Sequence, residues 1–530
     1  MKMGAYGAAG NGHYYREATV RLPIVFGAMT ALGLALGGVP DTARAEGQCI
    51  NIVGNESSGE KLTLDPSVQT SSDDAILVFA IFNRLVDLNN SFEVVPELAE
   101  SWEASDEGRT WTFHLKQGVK FHDGSDFDAN DVVYTYKRLI DPALASPAAA
   151  VLSFLTPEGI SAVDAHTVQF TTAEPIAELP LLFTTKFTGI VQEGATVEDM
   201  KAGKVAGTGP FMVEQFDVSN PIRIFRKNPN YWKAGLPKSE CIQITVAQEG
   251  LTAAIALQSA QADLVLSVDA TSIPALKEDS NVTLIETGAG TSMTYSMWID
   301  QPPFDDVRVR KALKLVVDRQ ALVDTVLLGL GEPGNDNPVP PTWPSAFSSE
   351  PLARDVEQAK ALLAEAGHAD GLDIDLYTSE GIPGMTKFAE AYRVMAADAG
   401  INVNVIVTPA DSYWDDVWLK QSFVTSGWSV RPPIEGLSVA YTKTTDWNET
   451  HWKRDDFEAL LQAARTELDD TKRADILKQA QKLLADEGGV IIPLFIHQVA
   501  GMRSACSGFE PHAQNFNVNY EELSCSDKGA

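Results

Sequence analysis

The chain has 530 residues, 44% of them hydrophobic and 21% charged, and carries a formal net charge of −31. That length exceeds what one hydrophobic core usually serves, so two or three domains are expected. So large an acidic excess excludes nucleic acid and anionic membrane surfaces as main partners and suits a self-repelling monomer in solution.

Lys2, Arg16 and Arg21 precede an apolar run from Ile24 to Val39, and Ala43-Arg44-Ala45 supplies the small-x-small pattern that signal peptidase reads. The run is shorter than the roughly 20 residues a membrane span needs. Residues 1–45 are therefore expected to be a signal peptide cleaved after Ala45, giving an exported, periplasmic protein. Met1 to Leu22 is long for the polar part of such a signal, which leaves the translation start open. Glu46-Gly47-Gln48 lacks the small apolar residues that lipid attachment at Cys49 requires, so no lipid anchor is expected. Four cysteines in an exported chain suggest two disulfides, with three possible connectivities. Cys49 and Cys241 each open a strand-like run, and their starts meet if those strands lie side by side and parallel. Cys506 and Cys525 flank a segment that could fold back as a hairpin. No CxxC unit occurs, which argues against a zinc or redox site.

After the first strand comes the polar turn Asn55-Glu56-Ser57-Ser58-Gly59, then a predicted helix with Ile76, Phe79, Ala80 and Phe82 to Leu85 on its apolar side. The loops at 55–59 and 69–74 leave the sheet that holds that strand, so they are candidate rims of a cleft. Trp111-Thr112-Phe113-His114-Leu115 alternates as a half-buried strand does. Asp128 or Asn130 caps a helix with Val132, Val133, Tyr136 and Leu139 inward. His122-Asp123 looks like a catalytic pair, but glycine beside it and the lack of a nucleophile point to turn chemistry. Further on, Pro303-Phe304-Asp305-Asp306 precedes a predicted helix carrying Val309, Leu313, Val316, Val323 and Val326. Asp355 with Gln358 opens another that ends at Gly367. A helix over 386–399, a strand over 401–407, helices over 456–468 and 471–487, and the apolar run Val490 to Phe495 complete an α/β rhythm.

The run from Val95-Pro96-Glu97-Leu98 to Asp131, Gly207-Thr208-Gly209-Pro210-Phe211 with Arg226 to Trp232, Ala256-Leu257-Gln258 through Ala262-Asp263, and Phe304 to Leu313 with Val317-Asp318-Arg319 follow one another in order. This set resembles the family 5 extracellular solute-binding proteins of ABC importers, the peptide, nickel and oligopeptide-binding group, over nearly the whole mature chain. Gln261-Ala262 stands where the family usually has a glycine-containing pair. The resemblance implies an α/β fold of class II periplasmic binding type, with two lobes, a cleft between them and an extra inserted domain. Lobe I would comprise about 46–83, 207–300 and 493–530, the insert 84–206 and lobe II 301–492. It also implies capture of a peptide or peptide-like solute, delivery to membrane permease subunits, and no cofactor or metal. A chemoreception role is compatible with the same features.

The sequence shows no G-x-S-x-G, H-E-x-x-H, Walker or dinucleotide motif, so no enzyme activity is expected. Binding candidates are Ser57, Ser58 and Gly59 from the first loop, Met297 and Trp298 near the lobe crossover, and Tyr413, Trp414, Trp428, Ser429 and Arg431 from the second lobe. Gly427-Trp428-Ser429-Val430-Arg431-Pro432-Pro433 reads as a loop leaving the carboxyl end of a strand, where open α/β sheets bind ligands. In peptide-binding members of the family this region carries an aspartate for the ligand's amino group. Here Arg431 takes that place, and no arginine is found near 377–381 to hold a peptide carboxylate. A guanidinium repels ammonium and pairs with carboxylate or phosphate. The expectation is a solute with an exposed anionic group, or a polar one without a free amino terminus; opines, oligosaccharides and metal chelates are the alternatives to peptides.

Overall fold

The computed structural model describes residues 49–528 apart from 55–61, 70–73, 91, 247–249, 344, 349 and 513–516. The signal-peptide expectation for 1–45 lies outside these residues. Among the described residues no helix is long and apolar enough to cross a membrane.

An eleven-stranded mixed sheet runs through both lobes. One half contains Ile401–Val407, Leu372–Thr378 and Phe423–Ser429; the other contains Leu264–Val265, Ile50–Gly54, Cys241–Val246, Ile222–Lys227 and Phe211–Gln215. Two long antiparallel strands, Val282–Met297 and Val490–Arg503, join the halves. The carboxyl part of Val490–Arg503 pairs with Leu264–Val265, whereas the carboxyl part of Val282–Met297 pairs with Phe423–Ser429. Their mutual register shifts between Glu286 and Ala289 and again between Ala289 and Thr291. Such irregularities bend a strand, and they fall where the sheet passes from one half to the other.

Ile50–Gly54 and Cys241–Val246 are parallel with Ile50 opposite Ile242. Cys49 and Cys241 are disulfide-bonded with Cα atoms 4.7 Å apart, and Cys506 bonds Cys525 across a two-stranded hairpin. Helix boundaries follow their caps. Asp128 and Asp131 form a capping box, and Asp355 accepts from the Gln358 backbone N–H at 2.9 Å. The single helix expected after Asp306 is two, Val307–Leu315 and Arg319–Val326, because Asp318 turns outward and caps the second by accepting from Ala321 N–H. The first helix, Ala75–Ile81, stops before Phe82, which is extended. The Gly207-Thr208-Gly209 segment packs on that helix end. A Cβ on Gly207 would lie 2.0 Å from the Ile81 carbonyl oxygen, so no side chain fits there.

The inserted region contains a four-stranded antiparallel sheet in the order Ala99–Ser105, Thr110–Leu115, Thr167–Thr171, Ile160–Asp164. A buried polar network fixes it to the first half. Glu97 accepts from Asn83 Nδ2 at 2.7 Å and from Arg84 N–H at 2.8 Å, and Arg84 donates to the Thr184 carbonyl and pairs with Asp87. Asn83 accepts from Trp232 Nε1 at 3.0 Å, while Glu521 ties in Tyr231 and Lys233. Burial, with Asp87 adding to it, raises Glu97 to about 7. His122 accepts from Gly207 N–H at 3.2 Å through Nδ1, and its Nε2 lies 3.0 Å from the Gly209 carbonyl, which fixes Nε2 as the donor. Burial lowers it to about 4. The pair expected to be turn chemistry is so in part: Asp123 accepts from Ser125, while His122 fastens the insert to the first half.

The insert also packs against the second half. One apolar core contains Phe113, Tyr136, Phe170 and Phe183 of the insert together with Leu437, Tyr441, Phe457, Leu461 and Leu484 of the helices Pro433–Tyr441, Asp455–Thr466 and Asp470–Glu487. Ala177 N–H donates to the Arg465 carbonyl at 2.8 Å, Glu178 pairs with Arg473 at 3.2 Å, and the Phe92 and Trp343 rings are 4.1 Å apart. The two sides are in contact along this face.

Candidate functional site

Leu372–Thr378 and Ile401–Val407 are parallel and end level, Thr378 opposite Val407, and Phe423–Ser429 runs parallel beside them past Val424. The first two strands therefore end level, beside the start of the third, whose Gly427-Trp428-Ser429 end runs on past them on the side where α/β sheets hold ligands. The segment 379–384 follows the first, the Ala410–Asp416 helix the second, and Trp428 lies near the end of the third.

The side chains gathered there form a row of indoles. Trp414 and Trp418 are four residues apart, and their rings meet at 5.7 Å; Trp418 lies 6.1 Å from Trp428, and Trp428 lies 5.9 Å from Trp447. Trp414 is 37% exposed and the other three are half-buried. Against them sits Glu449, wholly buried. Its Oε1 accepts from Ser296 Oγ at 2.8 Å and Trp428 Nε1 at 3.0 Å, and its Oε2 from Ser426 Oγ at 2.7 Å and Trp418 Nε1 at 2.8 Å. All four partners are neutral. Among the described residues no cation lies within ion-pair distance of this carboxylate.

Strand alternation builds this arrangement. Met293, Tyr295 and Met297 point into the second-lobe core, so Ser292, Thr294 and Ser296 point to the opposite face. Ser426 and Trp428 share that face on the neighbouring strand, where Thr294 is opposite Ser426 and their hydroxyls are 2.8 Å apart. Gly427, between them, sits close to its neighbours: a Cβ would lie 2.6 Å from Ile382 Cδ1, which would have to shift, and 3.1 Å from the Ser292 carbonyl oxygen.

Several sequence expectations change here. Met297 is fully buried in the core, one residue out of phase with Ser296, which makes the contact. Tyr413 is likewise core: it is fully buried and donates to the Thr425 carbonyl at 2.6 Å, while its neighbour Trp414 is exposed. Trp298 stacks on His451 at 4.2 Å, and its buried Nε1 has no hydrogen-bond partner among the described residues. Trp428 and Ser429 belong to the strand, not to a loop, and Pro433 begins a helix, a position that suits a residue without an N–H. The expectation of a guanidinium offered to an anion is corrected. Arg431 is buried, pairs with Glu435 one helical turn on at 3.3 Å and donates to the Ser429 carbonyl at 2.9 Å, while its guanidinium lies 5.6 Å above the Trp428 ring. Burial raises Glu435 and lowers Arg431, each opposed by its partner. Ser57, Ser58 and Gly59 lie outside the described residues.

Sequence reasoning missed Trp418, Trp447, Ser296, Ser426 and Glu449. The i, i+4 spacing of Trp414 and Trp418 and the polar-apolar alternation from Ser292 to Met297 were available signals. Glu449, in the irregular stretch Asn448-Glu449-Thr450, gives none.

Comparisons with known proteins agree with this architecture. A family profile described as bacterial extracellular solute-binding proteins, family 5 middle, matches residues 93–449. The heme-binding protein A of Haemophilus influenzae is 30% identical over 447 residues, covering 77% of this chain and 80% of that protein. The dipeptide-binding protein of Escherichia coli K12 is 28% identical over 89% of this chain and 94% of its own length. Among solved structures, AgaA from A. tumefaciens R10 in complex with agropinic acid superposes with a TM-score of 0.79 at 24% identity, covering 90% of this chain and 99% of that one. With its two-lobed α/β fold and a family match spanning most of its length, this chain belongs to the family 5 bacterial extracellular solute-binding proteins.

Proposed function

We propose that this protein is the solute-capturing component of an ABC importer, working outside the inner membrane and handing a peptide or peptide-like solute to membrane permease subunits. The supporting observation is the tryptophan row held by Glu449 beyond the carboxyl ends of Leu372–Thr378 and Ile401–Val407 in the second lobe, beside the two strands that join the lobes. Bending at the register shifts of those strands would open and shut the lobes as a hinge, and the face between the insert and the 433–487 helices is the one that closure makes. The solute leaves chemically unchanged.

Relatives described as dipeptide-binding and di/tripeptide-binding proteins favour peptides. Structures described as holding agropinic acid or a nickel–histidine chelate favour a second reading, in which the same cleft takes a non-peptide metabolite. Native mass spectrometry of the secreted protein, followed by identification of any released molecule, separates the two. Recovery of an intact small solute, restored by calorimetric titration with micromolar or tighter affinity, is expected. Turnover of that solute would overturn the transport reading.

A further inference from the structure

Resting on the interlobe capture proposed above, we propose that the solute carries an organic cation, an ammonium or guanidinium group, seated against the faces of Trp414, Trp418, Trp428 and Trp447 without directly touching a carboxylate. Three observations lead there. First, Glu449 is a fully buried carboxylate satisfied by two indole N–H groups and two hydroxyls, so its hydrogen bonds are met while its charge is not. Burying a charge without a counter-charge is costly. Donation from Trp418 and Trp428 into that anion polarises both rings and makes their faces more negative.

Second, the cation the structure places on this row is already engaged elsewhere. Arg431 is bonded to Glu435, and Lys186 of the insert also acts on Glu435 and lies over Phe187 at 5.2 Å. Third, the fold already places a guanidinium on this surface: Arg431 sits over Trp428 at 5.6 Å, which is cation–π geometry. Trp414, at the outer end of the row and 37% exposed, has accessible ring surface for an incoming group. A negatively charged solute would meet the quadrupoles of four indoles and the field of Glu449 with the wrong sign.

The test is calorimetry on the refolded, solute-free mature protein with two matched pairs. Ala-Lys against Ala-norleucine varies charge on a peptide, and choline against 3,3-dimethylbutan-1-ol varies charge on a free small molecule. The cationic member should bind at least about tenfold tighter in one pair or both, the size expected of a desolvated cation–π contact. Trp414→Leu, at an exposed position, and Trp418→Phe should bring that ratio towards one while changing the neutral member's affinity less. Glu449→Gln, which keeps the side chain's volume but removes the charge and one acceptor, should lower the ratio as well. Equal binding within both pairs, tighter binding of Ala-Glu than Ala-Lys, a ratio that survives the tryptophan substitutions, or no binding by either cation would overturn the proposal. Discrimination in the choline pair with no peptide binding would sink the peptide reading and leave the cation assignment standing. A neutral or anionic natural solute would do the reverse.

Discussion

Two glutamates, Glu97 half-buried and Glu449 wholly buried, hold this molecule together in opposite ways. Glu97, where the insert meets the first half of the sheet, shares its site with a second acid, Asp87, and with the buried guanidinium of Arg84. Glu449, in the second half, has only neutral donors. The first centre contains a counter-charge, Arg84, bonded to both backbone and side chains, so it fixes a junction. The second leaves its charge unmatched next to partly exposed aromatic faces, an arrangement that suits receiving something. A difference in counter-charge separates a joint from a candidate site.

Removing the cation from the joint should have the largest effect. Arg84→Ala removes a buried guanidinium from between the partly exposed Asp87 and Glu97 and should cost about 3 kcal/mol of unfolding free energy, the lower end for a broken buried pair, read from urea denaturation of the purified protein. A loss below about 1 kcal/mol would mean that the two centres do not differ as described. The next largest is a pH effect at the same junction. His122 is held neutral in the folded chain, at about 4 against an ordinary value of 6.5, so the unfolded chain takes up its proton first as pH falls. Its contribution is complete above about pH 6.5 and should be lost progressively down to about pH 4, by up to about 3 kcal/mol. Unfolding curves at half-unit steps should show that slope in the native sequence and its loss in His122→Asn.

At the other centre, Glu449→Gln keeps the volume but sets an amide N–H₂ against two indole and two hydroxyl donors, at least one of which loses its acceptor. A cost of about 1–3 kcal/mol is expected, smaller than at Arg84 because no bare charge is left behind. Near-UV circular dichroism should change as Trp418 and Trp428 reorient. Smallest of all, Trp414→Leu should shift stability by no more than about 0.5 kcal/mol, since that ring is exposed. If it destabilised as much as a core substitution, Trp414 would be structural and not a surface on which a solute rests.

Much of the scaffold was legible along the chain. Asp355, Asp128 and Gly367 marked helix ends, and alternation marked the Ile401–Val407 strand, because caps and periodicity act within a few residues. The candidate site was legible only in part. Trp428 was singled out by its strand-end position and Trp414 stood among the candidates, but Met297 was chosen where Ser296 makes the contact, and a one-residue phase error on a strand moves a side chain to the opposite face. Arg431 was read as a free cation since its partner, Glu435, faces it only once Pro433 starts a helix.

The sequence by itself determined where strands and helices begin, that four cysteines could close two bridges, and which family's motifs the chain carries in order. Those depend on spacing and on residue chemistry acting locally. The tertiary structure alone decided which charges are matched. Glu449 reaches Ser296 across 153 positions and Ser426 across 23, and the insert meets the 433–487 helices through contacts such as Ala177 with Arg465. Whether a buried acid becomes a joint or a binding site depends on what long-range packing brings within three ångströms of its two oxygens, and no local pattern encodes that.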